Sequence, residues 1–227
     1  DAYEAVVLSG EAAAVTATVD WLTRGASATA LLRAIAHAAA ERVRRFDAAW
    51  ETRVDAEVGV LDVTHAITFA ESALVLLPSA TPRDAGRLAV LAAALVGKLR
   101  NGDRQDHADP APRTSAPDLG TAASARDVGC AIAIAREMSP SERRAAYAEL
   151  APFAALDAAV RPIFYAHTVK NTEALGRLDR DDPFTDATYL LALISHIVPR
   201  RPEWRPRRLA HVATHFLADG RPPEGLY

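Results

Sequence analysis

The chain has 227 residues, half of them hydrophobic and 24% charged, which is enough to bury a core. Its formal net charge of -3 supplies no basic field, which argues against nucleic acid as a partner. Cys130 is the single cysteine, which excludes an internal disulfide and any cysteine cluster for zinc or iron–sulfur.

With a single cysteine, a reducing cytoplasm is the expected location, and the N-terminus lacks the basic n-region of a signal peptide. No uninterrupted apolar run approaches the roughly 18 residues of a membrane span. The longest, Leu88 to Val96, lies between Arg87 and Lys98. Lys98 and Lys170 are the only lysines among many arginines and alanines, the codon bias of a GC-rich bacterial genome.

Ala, Leu, Arg and Glu dominate, and all are good helix formers. The first helix is predicted from Gly10 to Thr23, stopping at Gly25. Ser27 then caps a long helix to about Trp50, striped by Leu31, Ile35, Ala39, Phe46 and Trp50. Asp62 is read as the cap of a helix over Val63 to Leu77. Thr81-Pro82-Arg83-Asp84 is a strong start for the next, with a cap, a proline at the first helical position and an acid in the first turn. The Asp-, Pro- and Gly-rich stretch of about 101–120 reads as a long surface loop, mobile or wrapped on the body.

One helix is predicted over Ala122 to Met138, and Ser139-Pro140-Ser141-Glu142 opens another with a capping box. Pro152 and Pro162 punctuate the segment beyond it. A long helix is expected from about Arg161 to Leu178, then one from Asp182 to about Val198. After a Pro/Arg connector over 199–206, a last helix covers Arg207 to Ala218. The prediction is an all-α chain forming one domain, 1–227, of about eight or nine helices in a single bundle.

The seven histidines are the most informative residues. At 100° per residue, Val160, Ile163, Phe164, Ala174, Leu175 and Leu178 fall within about 80° of His167, which puts it in a buried stripe. Asn171, one turn on, is placed to hydrogen-bond it, while Lys170 and Glu173 project to the other flank. Burial favours a neutral imidazole, which can bind a metal or take a proton. A core histidine satisfied by Asn171 or by a carbonyl is the bland reading.

His65 sits near the start of its helix beside Phe69, at the border of the apolar face, where a residue lining a pocket would sit. His196 shares a side with Thr185 and Tyr189, a mixed surface that suits a cavity or an interface rim. His211 and His215 have the i, i+4 spacing that grips an ion, but they lack the intervening Glu of a zincin. His37 faces Arg33, Glu41 and Arg44 and reads as solvated. His107 lies in the polar loop.

The chain has no phosphate-cradling Gly-rich loop, no Gly-x-Ser-x-Gly elbow and no Glu-x-x-His pairs of a diiron bundle. Any metal site must therefore be rich in histidine and assembled from separate helices. Candidate catalytic residues are His65 and His167, and candidate metal ligands are His65, His167 and His196, for an ion such as iron. Phe69, Phe164, Asn171 and Tyr189 are the candidate substrate-binding residues.

Two stretches carry a resemblance. They are Glu41-Arg42-Val43-Arg44-Arg45-Phe46-Asp47 with Leu61-Asp62-Val63-Thr64-His65-Ala66-Ile67-Thr68-Phe69-Ala70, and Ala166-His167-Thr168-Val169-Lys170-Asn171-Thr172. They resemble a helical region that accompanies the cluster domain of bacterial Rieske-type [2Fe-2S] proteins. A Rieske centre takes two Cys and two His, so no cluster can be built here around Cys130 alone. The resemblance implies a redox context, with an electron-transfer protein as neighbour or partner.

Two functions fit these residues. One is an oxidoreductase-type domain whose histidines line a pocket for a metal ion or a small organic substrate. The other is a non-catalytic module that docks a partner or forms a homo-oligomer, with the Arg/Pro segment Arg200 to Arg208 as a contact surface.

Overall fold

The structure is a computed structural model that describes residues 2–52, 59–106, 108–155, 162–181 and 186–199, together with 214, 216–218 and 220. Side chains at 51, 52, 155 and 162–165 are not described. The described residues hold ten α-helices, three short 3-10 turns and no strand. The fold is all-α.

α1 (Ala2–Val7) precedes the first expected helix, and α2 (Glu11–Thr23) stops before Gly25, whose φ of +88° suits glycine. α3 (Ala28–Arg45) ends earlier than the stripe to Trp50 suggests, and a 3-10 turn covers Ala48–Thr52. α4 (Val60–Leu76) begins at Gly59. Asp62 does not cap it from outside; it lies in the first turn and accepts the Gly59 N–H at 2.8 Å.

α5 (Pro82–Lys98) starts as expected, with Thr81 Oγ1 accepting the Asp84 N–H at 3.2 Å. The helix expected over Ala122 to Met138 is two, α6 (Leu119–Ser124) and α7 (Val128–Glu137). They break at Arg126, whose φ is +55°. α8 (Pro140–Ala155) opens with the expected box, in which Glu142 Oε2 accepts the Ser139 N–H at 2.7 Å, and it continues through Pro152. α9 (Pro162–Asp181) and α10 (Thr188–Ile197) complete the set. The connector after 199 and most of the last expected helix, with His211 and His215, lie outside the described residues.

α3 is the axis of the molecule. Every residue from Ala34 to Ala40 is buried, so the middle of this helix is covered on all sides, and its alanines allow neighbours close. It packs against α1, α4, α5 and α10, while α9 lies on α4, α8 and α10. The two halves flanking the long loop therefore share one hydrophobic core.

The long loop is pinned to the body. Asp127 Oδ2 accepts the backbone N–H of Arg113 at 2.8 Å and of Thr114 at 2.6 Å. Asp109 bridges Arg44 of α3 and Arg136 of α7. By length and composition alone Val60–Ser79 reaches across a bilayer, with 20 residues and a mean hydropathy of 1.6. That is longer than the Leu88 to Val96 run, and its buried face packs on α3, α5 and α9.

α2 and α5 meet at glycine. A Cβ on Gly97 would lie 2.7 Å from Glu11 Cα and 2.8 Å from its nitrogen. Backbone cannot yield as a flexible side chain does, so Gly97→Ala is expected to destabilise by about 1–3 kcal/mol. A lowered urea midpoint checks it, and an unchanged midpoint would mean that the helices separate freely.

Candidate functional site

α4 and α9 pack side by side, and this packing brings His65 to His167 although 102 residues separate them. The two Nε2 atoms are 2.9 Å apart, and the rings stand edge to face with centroids at 4.8 Å and an interplanar angle of 71°. One imidazole donates an N–H and the other accepts it, so the shared hydrogen bond fixes one tautomer on each ring. Burial and then the neighbouring His167 and Lys170 push the His65 pKa below its ordinary value, while Asp62 opposes them.

The pair stands beside an open groove of about 830 Å³ between α4, α9 and α5. His65, Phe69, Leu95, Val169 and Lys170 line it, and further along Arg177 bonds Glu71 at 3.2 Å. The groove thus combines an apolar wall, the His65 imidazole and a lysine, with His167 bonded to His65 from outside the lining. Such concave, mostly apolar sites with a few convergent polar groups are the usual form of a small-molecule site.

Several sequence expectations need correction. His167 is half-buried, bonded to the exposed His65 that lines the groove, instead of sitting inside the core stripe. The buried face of α9 is formed by Asn171, Ala174, Leu175 and Leu178. Asn171 is fully buried but does not hold His167, and neither of its amide atoms has a partner. Such a group costs about 1–3 kcal/mol.

Lys170 and Glu173, expected on the other flank, line the groove. Of the four substrate-binding candidates, Phe69 lines it, whereas Asn171 lies in the core and the Phe164 side chain is not described. Tyr189 is 2% exposed and packs edge-on against His37, with centroids at 5.9 Å.

His196 is buried in α10 and does not complete a triad with the pair. Among the described residues no group of three or more His, Cys, Asp or Glu side chains is placed to hold one metal ion together. His107 lies outside the described residues. His37, read as solvated, is buried between two carboxylates, with Nδ1 2.9 Å from Glu4 Oε1 and Nε2 3.1 Å from Asp186 Oδ2.

The groove's Glu71–Arg177 pair went unseen because only Glu173 and Arg177, at i, i+4, leave a local signal. Comparison of the chain with family models, with curated proteins and with solved structures gives no match.

Proposed function

We propose that the chain is an oxidoreductase-type helical domain whose His65–His167 pair binds a divalent transition metal such as iron, with a small organic substrate in the adjoining groove. The observation that carries this reading is the 2.9 Å approach of the two Nε2 atoms. Two nitrogens held at about 2.0–2.1 Å on a tetrahedral ion lie about 3.3 Å apart, so small rotations would let a metal replace the shared proton. Imidazole suits iron, copper, nickel and zinc. Two ligands would leave coordination positions open for water or substrate.

Phe69, Leu95 and Val169 would hold the apolar part of that substrate, and Lys170 would favour an acidic group. The resemblance to Rieske-associated helical regions suggests a [2Fe-2S] protein as the electron-transfer partner. Cys130, which is alone and buried, offers no cluster here.

Cobalt(II) is the probe for the test, because its visible d–d bands report imidazole ligation. One equivalent is expected to bind, and His65→Ala and His167→Ala are each expected to weaken it by at least about tenfold. His65 is exposed and His167 only half-buried, so the far-ultraviolet circular dichroism should not change. Equal binding by the double variant, or no uptake at millimolar cobalt or iron, would defeat the proposal.

A further inference from the structure

A second cleft, of about 600 Å³, opens on a different part of the molecule, between α1, the C-terminal end of α3 and the 3-10 turn Leu99–Gly102. Three guanidiniums from three separate segments line it: Arg45 from α3, Arg100 from the turn and Arg104 from the loop beyond. A fourth, Arg42, is buried nearby and is bound to Asp103. Burial, and then the like charges of Arg45 and Arg100 among its neighbours, lower the Arg42 pKa against the pull of Asp103.

Glu4 and Asp103 also line the cleft, and they and the nearby Glu41 are already engaged. Asp103 pairs with Arg42, Glu4 with His37, and Glu41 with Arg44, leaving Glu41 a longer 3.6 Å contact to Arg45. Arg100 donates from Nη1 to the Ser9 carbonyl, and Arg104 from Nη2 to the Arg44 carbonyl at 2.9 Å. The Arg104 Nε is buried and has no acceptor. A buried donor left in this way costs about 1–3 kcal/mol, which an incoming acceptor would recover.

Each guanidinium is a fixed fork of donors that matches the oxygens of phosphate two at a time. Crowded forks of one sign around an open cleft, with an orphaned donor among them, call for a multivalent anion.

We propose that the Arg45–Arg100–Arg104 cleft binds an oxyanion of the phosphate type, either free or carried on a small phosphorylated molecule. The proposal is independent of the histidine pair and stands whether or not a metal binds there.

Inorganic phosphate is the probe, titrated against chloride at matched ionic strength, with binding read by calorimetry and by thermal stability. Phosphate is expected to bind in one equivalent and to raise the melting temperature beyond chloride. Arg100 is exposed, so Arg100→Gln should fold. It should weaken phosphate at least about tenfold, as expected for lost charge-assisted bonds. Arg45→Gln is a second such variant, while Arg87→Gln, at a distant exposed ion pair, and the double variant His65→Ala/His167→Ala should bind as the parent does.

Glycerol 2-phosphate distinguishes the sources. Tighter binding than inorganic phosphate points to a phosphorylated metabolite, and equal or weaker binding to the free anion. No phosphate effect beyond chloride, or unaltered binding in both Arg100→Gln and Arg45→Gln, would overturn the proposal.

Discussion

Replacing Asp103 with Ala is expected to destabilise the fold by about 3–5 kcal/mol, the cost of stranding one member of a buried ion pair. The Arg42 side chain is 0% exposed and that of Asp103 11%. Arg42 also donates to the Val96 carbonyl at 3.1 Å and to the Leu8 carbonyl at 2.5 Å, tying α3 to α5 and to the end of α1. Those two bonds satisfy N–H groups but do not neutralise charge. Without Asp103 the guanidinium would stay buried with Arg45 and Arg100 nearby.

Urea unfolding of Asp103→Ala reads the loss directly. Adding Arg42→Met should restore part of it, because an apolar side chain of similar length fills the site without a charge. A single-variant loss below about 1 kcal/mol would mean that solvent reaches the pair and screens it. The measurement belongs in chloride buffer, where no phosphate can replace the missing carboxylate.

Arg42 also marks the limit of what the chain order discloses. Local signals were legible. The Thr81-Pro82-Arg83-Asp84 start and the Ser139–Glu142 box depend on residues three apart, and both hold. The break at Arg126 was not legible, because no glycine or proline sits there and an arginine rarely takes a positive φ. The anchoring of the long loop was hidden for another reason: Asp127 reads as a helix cap, and its bonds to Arg113 and Thr114 depend on tertiary approach.

The histidine pair was half legible. Helical wheels place His65 and His167 toward the packed sides of their helices, and α4 does pack on α9. A wheel gives direction but not depth, so it puts His167 in the core, whereas the side chain is half-buried and bonded to His65. For His37 the wheel misled. Its neighbours Arg33, Glu41 and Arg44 suggest a solvated face, but that face is covered by α1, which has only six residues, and by Asp186, 149 positions away. The stretch from Ala34 to Ala40 has no free side, so His37 within it must find partners inside the fold.

That enclosure makes stability fall as pH rises from about 6.5 to 10. Burial works against a charged imidazole at His37, but hydrogen bonds with Asp186 and Glu4 outweigh it and hold its pKa up to about 10. The folded value lies above the unfolded one near 6.5. The stabilisation is therefore fully present below about pH 6.5 and lost as pH climbs through the folded pKa. Asp186 has the opposite sign. Burial would raise its pKa, but the His37 hydrogen bond and the Thr188 N–H hold it down to about 2. Its contribution is present above the ordinary range near pH 4 and fades as pH falls toward 2.

The two together make the cluster most stabilising between about pH 4 and 6.5. Chemical denaturation across the alkaline arm should show a loss of roughly 2–4 kcal/mol by pH 10. His37→Gln keeps the size and a hydrogen-bond donor but carries no charge. It should be less stable than the parent at pH 6 and nearly level from 6.5 to 10.

Three other shifted groups fall outside that window. Tyr3 and Tyr147, both pushed upward mainly by burial, titrate above it, and His65, pushed downward, titrates below. An equal alkaline slope in His37→Gln would therefore show that the imidazolium between Glu4 and Asp186 does not hold α1, α3 and the start of α10 together. A flattened slope would assign to one side chain most of the alkaline sensitivity of the fold.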